Sequence, residues 1–404
     1  MNEMLQRLMT EATRLTRSGK LHEATQAIQR ALKGALPGTV PGAESAAPTR
    51  VGQPVTPPVA RASEAANDPL VLDGLTRVID SAETQHDVAT DIETDIATAE
   101  KRVADAPREA ETFEDERWID GSFTHQGRTL AYKLYLPPAA AGVTPEPRPM
   151  VVMLHGCTQG PADFAAGTQM NALARDLGVV VVYPEQTQRA NAQKCWNWFK
   201  PQHQQRGRGE PAVLAALAQS ITAEHHVDAA RVFVAGLSAG GAMADIVGRC
   251  YPDVFAAVGV HSGLPSGSAT DLMSALAAMR SGAAAATNAT GASAMPPTIV
   301  FHGDADATVH VSNGAAIFEA ARTNAEAAGA KPSARVAEGR SSGGQRYTRT
   351  VYTNAAGRSA AEYWQLHGAG HAWSGGSARG SYTDPSGIDA SAEMMRFFLA
   401  HARA

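Results

Sequence analysis

From about residue 116 onward, short apolar runs alternate with longer stretches whose apolar residues recur at helical spacing. Runs such as Val179-Val180-Val181-Val182 show no polar alternation, the pattern of a parallel strand covered on both faces. The runs predict strands at 130–136, 150–154, 179–183, 232–235, 256–260, 298–301 and 362–366. The periodic stretches predict helices at about 164–176, 211–225, 239–250, 312–327 and 389–402. Strands alternating with helices predict an α/β fold with a mostly parallel, doubly wound sheet. Such sheets place ligand sites beyond the C-terminal ends of their strands.

The pattern upstream is different. Leu5, Leu8, Ala12 and Leu15 recur at helical spacing, Ser18-Gly19 interrupts them, and Leu21, Ala24, Ile28 and Leu32 resume until Gly34 and Pro37. Residues 1–35 therefore read as a helical hairpin extension. A lone helix pair cannot bury both apolar faces, so it is expected to dock on a polymer granule or protein partner, or to be a marginal appendage. Residues 36–115 read as a linker, first rich in Pro and Ala (Pro54-Val55-Thr56-Pro57-Pro58), then acidic with Asp91, Glu93, Asp95 and Glu100. Residues 116–404 remain as the domain that carries chemistry.

Composition narrows the classes. A net charge of -5 without a basic stripe argues against a nucleic-acid partner. No apolar run reaches the ~20 residues of a membrane span. The first residues lack the basic start and apolar core of a secretory signal, so a cytoplasmic location is expected. The three cysteines, Cys157, Cys195 and Cys250, form no Cys-x-x-Cys pair and allow at most one internal disulfide. A Cys195–Cys250 bond would join an aromatic loop to the helix after residue 238.

The chemistry concentrates where predicted strands end. Gly236-Leu237-Ser238-Ala239-Gly240-Gly241 follows the strand Arg231-Val232-Phe233-Val234-Ala235 and opens a helix. Gly-x-Ser-x-Gly at a strand-to-helix turn is a nucleophile elbow, and side chains at 236 or 240 would crowd it. A serine nucleophile needs a base, and the base needs an orienting carboxylate, in the chain order Ser, acid, His. The acid should follow Thr298-Ile299-Val300-Phe301, where Asp304 and Asp306 compete. Asp306 is preferred, because Val309 and its turn would aim that carboxylate inward, whereas Asp304 would close the Gly303 turn. The base should lie in Leu366-His367-Gly368-Ala369-Gly370-His371-Ala372-Trp373. His371 at the loop tip is preferred over His367, with His261 third, while His225 and His226 end a helix. The oxyanion donors expected are the backbone N–H of Ala239 and that of Cys157 in Met153-Leu154-His155-Gly156-Cys157-Thr158-Gln159. A Cys157 thiol nucleophile is the rival reading. Trp196, Trp198 and Trp373 are expected to wall the substrate, with Gln159 beside them, though one of the first two tryptophans could equally be core. No metal or cofactor is needed.

Five motifs together carry a resemblance: His155-Gly156-Cys157-Thr158-Gln159, Tyr183-Pro184-Glu185-Gln186, Cys195-Trp196-Asn197-Trp198-Phe199, Gly236-Leu237-Ser238-Ala239-Gly240-Gly241 and Gly370-His371-Ala372-Trp373. Over about 120–400 the chain resembles the poly(3-hydroxybutyrate) depolymerase family of esterases, which is similar to feruloyl and acetyl-xylan esterases. The resemblance implies the α/β-hydrolase fold and a triad of Ser238, Asp306 and His371, with Cys157 lining the oxyanion hole. It implies hydrolysis of hydroxyalkanoate polymer or oligomer esters, or alternatively of short acyl or feruloyl esters on carbohydrate. A granule- or partner-docking protein with secondary esterase activity is the third reading. Many relatives are secreted, which makes an extracellular location the alternative. The helical segment 1–35 lies outside the resemblance.

Overall fold

A strand with only apolar residues needs cover on both faces, and Val180–Pro184 receives it, with all five residues buried. Val180 and Val182 pack on one face of the sheet, Val181 and Tyr183 on the other. The computed structural model describes residues 113–140, 146–282, 295–327, 333–354 and 357–403. The hairpin expected at 1–35 and the linker expected at 36–115, except its last three residues, lie outside the described residues.

Ten strands form the main sheet: β1 (Arg117–His125), β2 (Arg128–Leu136), β3 (Arg148–Leu154), β4 (Val180–Pro184), β5 (Val227–Leu237), β6 (Ala257–His261), β7 (Thr298–Gly303), β8 (Ser333–Arg340), β9 (Arg346–Thr353) and β10 (Ser359–Leu366). Their order is β8-β9-β10-β7-β6-β5-β3-β4-β2-β1. The six central strands, β10 through β4, run parallel. An antiparallel pair flanks them on each side. The helices are α1 (Pro161–Thr168), α2 (Met170–Leu177), α3 (Gly209–Glu224), α4 (Ala239–Cys250), α5 (Leu272–Ser281), α6 (Ser312–Ala327) and α7 (Ala390–Leu399).

Each face of the sheet has its own core. Leu214, Leu217 and Ile221 of α3, Met243 and Val247 of α4, and Ile317 of α6 cover one face. Phe164 of α1, Met170 of α2, and Met394, Phe397 and Phe398 of α7 cover the other. There Phe398 stacks on Phe233 of β5 with ring centroids 5.0 Å apart.

Three differences from the sequence expectation have physical causes. The single helix expected at 164–176 is two, because Gln169 takes a left-handed conformation (φ 55°) and its N–H caps Ala165 O at 3.1 Å. The flanking strands β1 and β8 are largely exposed and polar, so they lack the apolar signature that marks the central strands. Helix α5 buries only Ala275 and Ala278 and leaves Leu272 and Met273 exposed, so it has no clean apolar stripe.

The parallel block places six strand ends at one end of the sheet. At or just beyond those of β3, β5, β6, β7 and β10 lie Cys157, Ser238, His261, Asp306 and His371 respectively.

Candidate active site

The nucleophile elbow follows from close backbone packing. Ser238 lies between the end of β5 and the first turn of α4 with φ 57° and ψ −119°, a conformation side chains rarely adopt. A Cβ at Gly240 would fall inside the Leu154 carbonyl, and one at Gly236 would strike Gly240 itself. The elbow therefore rests backbone-to-backbone on the end of β3, where the second oxyanion loop begins. Ser238 N–H donates to the His261 carbonyl at 2.9 Å, and the residue is half-buried.

The two acidic candidates sort into two pairs. His371 Nδ1 lies 2.7 Å from Asp306 Oδ2, and Asp306 Oδ1 accepts from the backbone N–H groups of Thr308 and Val309, both at 2.8 Å. Burial pushes the Asp306 carboxyl up, but the His371 bond and charge and these N–H groups outweigh it and hold it below the usual carboxylate range. An ionised carboxylate only accepts, so His371 Nδ1 carries a proton and donates it, which leaves Nε2 as the nitrogen available for proton transfer. Asp304 instead meets His367, with Nδ1 at 2.8 Å from Oδ2, and takes the Gly368 N–H on Oδ1 at 2.6 Å. His367 Nε2 is engaged by Thr348 Oγ1 at 2.8 Å. This second pair is partly exposed and closes the root of the His371 loop.

The acid and base loops also touch through their backbones. Ala305 N–H donates to Ala369 O at 3.1 Å, and a Cβ at Gly303 would collide with that carbonyl. Among the described residues no hydrogen bond joins Ser238 Oγ to His371; such contacts commonly tighten only when substrate binds.

His261 is no base. Its ring is fully buried, its Nε2 accepts the Ser374 N–H at 3.0 Å, and its Nδ1 lies 3.1 Å from Ser262 Oγ. Burial drives its pKa down to about 3, assisted by the neighbouring His302 and His371, so it is neutral. It is a staple instead: its carbonyl holds Ser238 and its ring holds Ser374, three residues beyond His371.

Cys157 and Ala239 each present a backbone N–H with no hydrogen-bond partner among the described residues. The Cys157 donor is held from several sides. Its peptide shares the Gly156 carbonyl, which lies 2.7 Å from His155 Nδ1. His155 Nε2 faces the Gln186 N–H at 3.1 Å and must accept from it, so Nδ1 carries the proton and donates to Gly156. Gln186 in turn donates to the buried carboxylate of Glu210 at 2.7 Å, which also binds Asn197 N and Nδ2. Gln159 Oε1 accepts the Gly156 N–H at 2.9 Å.

The Cys157 side chain forms a disulfide with Cys195. This replaces the expected Cys195–Cys250 bond and removes Cys157 as a free thiol. Cys250 is free, its thiol pushed up to about 11, mainly by burial. The cause lies in the fold: β3 and the loop after β4 are neighbours, so Cys195 comes over the oxyanion loop, a proximity that sequence separation conceals.

The expected substrate wall is corrected. Trp196, Trp198 and Trp373 are 0%, 5% and 1% exposed and belong to the core. Trp373 stacks on His261 and donates its indole N–H to Ser391 at 3.0 Å. Gln159 is 3% exposed and spends its amide on Gly156, Asp163 and Ser381. Aromatic rings under long loops gain more from burial than from exposure. His155, Gln186 and Glu210 received no role from the sequence; the first two lie in motifs that were visible there, and only Glu210 gave no signal.

Among the described residues no group of three or more His, Cys, Asp or Glu is placed to hold a metal ion. No helix among them is long and apolar enough to cross a membrane.

Comparison with known proteins places this arrangement. A family model described as esterase PHB depolymerase matches residues 130–341. Poly(3-hydroxyalkanoate) depolymerase C of Paucimonas lemoignei is 37% identical over 179 residues, 42% of this chain and 43% of that protein. Feruloyl esterase B of Thermothelomyces thermophilus is 33% identical over 128 residues, 31% of this chain and 43% of that protein. The chain thus spans less than half the length of these relatives. The solved acetyl xylan esterase of Aspergillus awamori superposes with a TM-score of 0.52 at 18% identity, covering 71% of this chain and all of that one. That likeness shows the fold, the α/β-hydrolase fold.

Two outcomes follow from the pairing. Asp306→Asn should lower kcat on an activated short-chain ester by about 10³–10⁴-fold, and Asp304→Asn by less than about tenfold; the reverse ranking would make Asp304 the acid. Thiol titration under denaturing, non-reducing conditions should find only Cys250, and Cys195→Ser should lower kcat by about tenfold or more while KM changes little. Three free thiols would rule out the Cys157–Cys195 bond.

Proposed function

The chain belongs to the esterase PHB depolymerase family, and on that premise we propose that it is a serine ester hydrolase that cleaves esters of 3-hydroxyalkanoate oligomers or polymer. The observation that carries the reading is the 2.7 Å contact of Asp306 with His371, which orients His371 and leaves its Nε2 for the serine of the strained elbow.

In this mechanism His371 Nε2 takes the Ser238 hydroxyl proton as Oγ attacks the ester carbonyl carbon. The carbonyl π pair moves onto oxygen, where the N–H groups of Cys157 and Ala239 receive the charge. Asp306 stabilises the imidazolium without taking its proton. Collapse of the tetrahedral intermediate breaks the C–O bond, and the alkoxide leaves with the proton from His371. Water then attacks the acyl-enzyme, giving its proton to His371, and the second collapse releases the acid and restores Ser238.

The hydroxyalkanoate assignment is supported by the relative named a poly(3-hydroxyalkanoate) depolymerase. A carbohydrate ester is the second reading, favoured by the likeness to feruloyl esterase B. The Cys157–Cys195 disulfide supports an oxidising compartment, hence the extracellular alternative, because thiols stay reduced in the cytosol.

Product analysis on soluble 3-hydroxybutyrate oligomers, beside a feruloyl sugar ester and an acetylated xylo-oligosaccharide, tests the assignment. Hydroxybutyrate monomer and dimer should form with kcat/KM at least about tenfold above that for either sugar ester. Ser238→Ala should abolish turnover of all three. Preferential release of ferulate or acetate would move the protein to the second reading, and full activity in Ser238→Ala would remove the serine mechanism.

A further inference from the structure

With three tryptophans buried, the surface that meets the substrate beyond its carbonyl needs another source. One aromatic near these loops is exposed: Tyr382, at 47%. Its backbone carbonyl accepts the Trp373 N–H at 2.7 Å, two residues beyond His371. The next residues, Thr383–Asp384, pair as a short parallel strand with Trp373–Ser374.

At the other end of the side chain, the Tyr382 hydroxyl lies 3.3 Å from Thr158 Oγ1. Thr158 already donates its hydroxyl proton to the Cys157 carbonyl at 2.6 Å, so Tyr382 is the donor. Tyr382 thus reaches from the segment that follows the base to the residue next to an oxyanion donor.

The backbone reinforces this placement. Tyr382 has φ 53° and Thr158 φ 66°, so two non-glycine residues in the left-handed region meet through their side chains. The segment is held there: Ser381 N–H donates to Asp163 Oδ1 at 2.9 Å, and Gln159 Nε2 donates to Ser381 O at 3.0 Å. Gln159 therefore ties the Tyr382 segment to the oxyanion loop. Conformations of this kind persist where the surroundings over-determine them, and they cluster at ligand sites. An aromatic face kept in water beside a carbonyl site offers apolar area to whatever flanks that carbonyl.

We propose that Tyr382 is the specificity-determining residue of this site, its ring holding the apolar chain that adjoins the scissile carbonyl. It selects esters whose chain extends beyond the acetyl group. This rests on the ester-hydrolase reading above.

The test is a series of p-nitrophenyl esters from acetate to octanoate, with kcat and KM measured for wild type, Tyr382→Ala and Tyr382→Phe. Tyr382→Gly, which suits a left-handed backbone, is the companion that removes the ring without adding strain. For the Ala and Gly variants, the KM ratio to wild type should grow about tenfold along the series, while Tyr382→Phe follows wild type within about threefold. A KM ratio constant along the series overturns the proposal, as does a Phe variant that behaves like Ala. Wild-type turnover of 3-hydroxybutyrate oligomers is read separately. If the oligomers resist while the chain-length dependence appears, only the hydroxyalkanoate assignment falls. If no ester in the series is turned over, the hydrolase reading falls and Tyr382 with it.

Discussion

The Leu154 carbonyl, at the end of β3, meets Gly240, in the first turn after the nucleophile, with no room for a Cβ between them. That contact sets the spacing between the Ser238 elbow and the loop that carries Cys157, and thus, in the proposed mechanism, between the attacking oxygen and one of the two donors for the charge it creates. Backbone groups make rigid oxyanion donors because they need no rotamer to be held. Here rigidity comes from packing two strand ends against each other, with Gly236 and Gly240 as the residues that allow it.

Around this contact, neutral histidines act as staples. His155, His261 and His302 are all buried near the strand ends, and burial lowers the pKa of each. Each ring spends a nitrogen on backbone: His155 on Gly156 O and Gln186 N, His261 on Ser374 N, His302 on Val309 O. Imidazole suits this work because one ring both donates and accepts, so it can tie two loops whose free groups are of opposite kind. The result places the oxyanion, base and acid loops around Ser238 without a metal-type cluster among the described residues. His371 leaves its second nitrogen without a partner among the described residues, as His302 leaves its Nδ1, but the His302 ring is fully buried and the His371 ring is not.

The central strands and the elbow were legible because their signals are local: unbroken valines, and glycines around a serine. The preference for Asp306 over Asp304 rested on Val309, and Val309 does fold its N–H onto that carboxylate. What the sequence concealed depends on tertiary neighbours. Cys157 and Cys195 are separated by 38 residues and meet only because β3 and β4 are adjacent. Trp373 follows the base in sequence, but stacking on His261 turns it inward, while Tyr382, eleven positions after His371, returns to the site through a two-residue strand pair. Strands β8 and β1 sit at the edges with polar, exposed faces, where periodicity carries little of the signal that burial creates.

The most direct test is the crystal structure of the protein inactivated with a p-nitrophenyl alkylphosphonate. The phosphorus should be bonded to Ser238 Oγ, with the phosphoryl oxygen about 2.7–3.1 Å from both the Cys157 and Ala239 nitrogens and the Cys157–Cys195 bond intact. An adduct on another residue, or a phosphoryl oxygen turned away from Cys157 N, would contradict an oxyanion hole built on the Leu154–Gly240 contact.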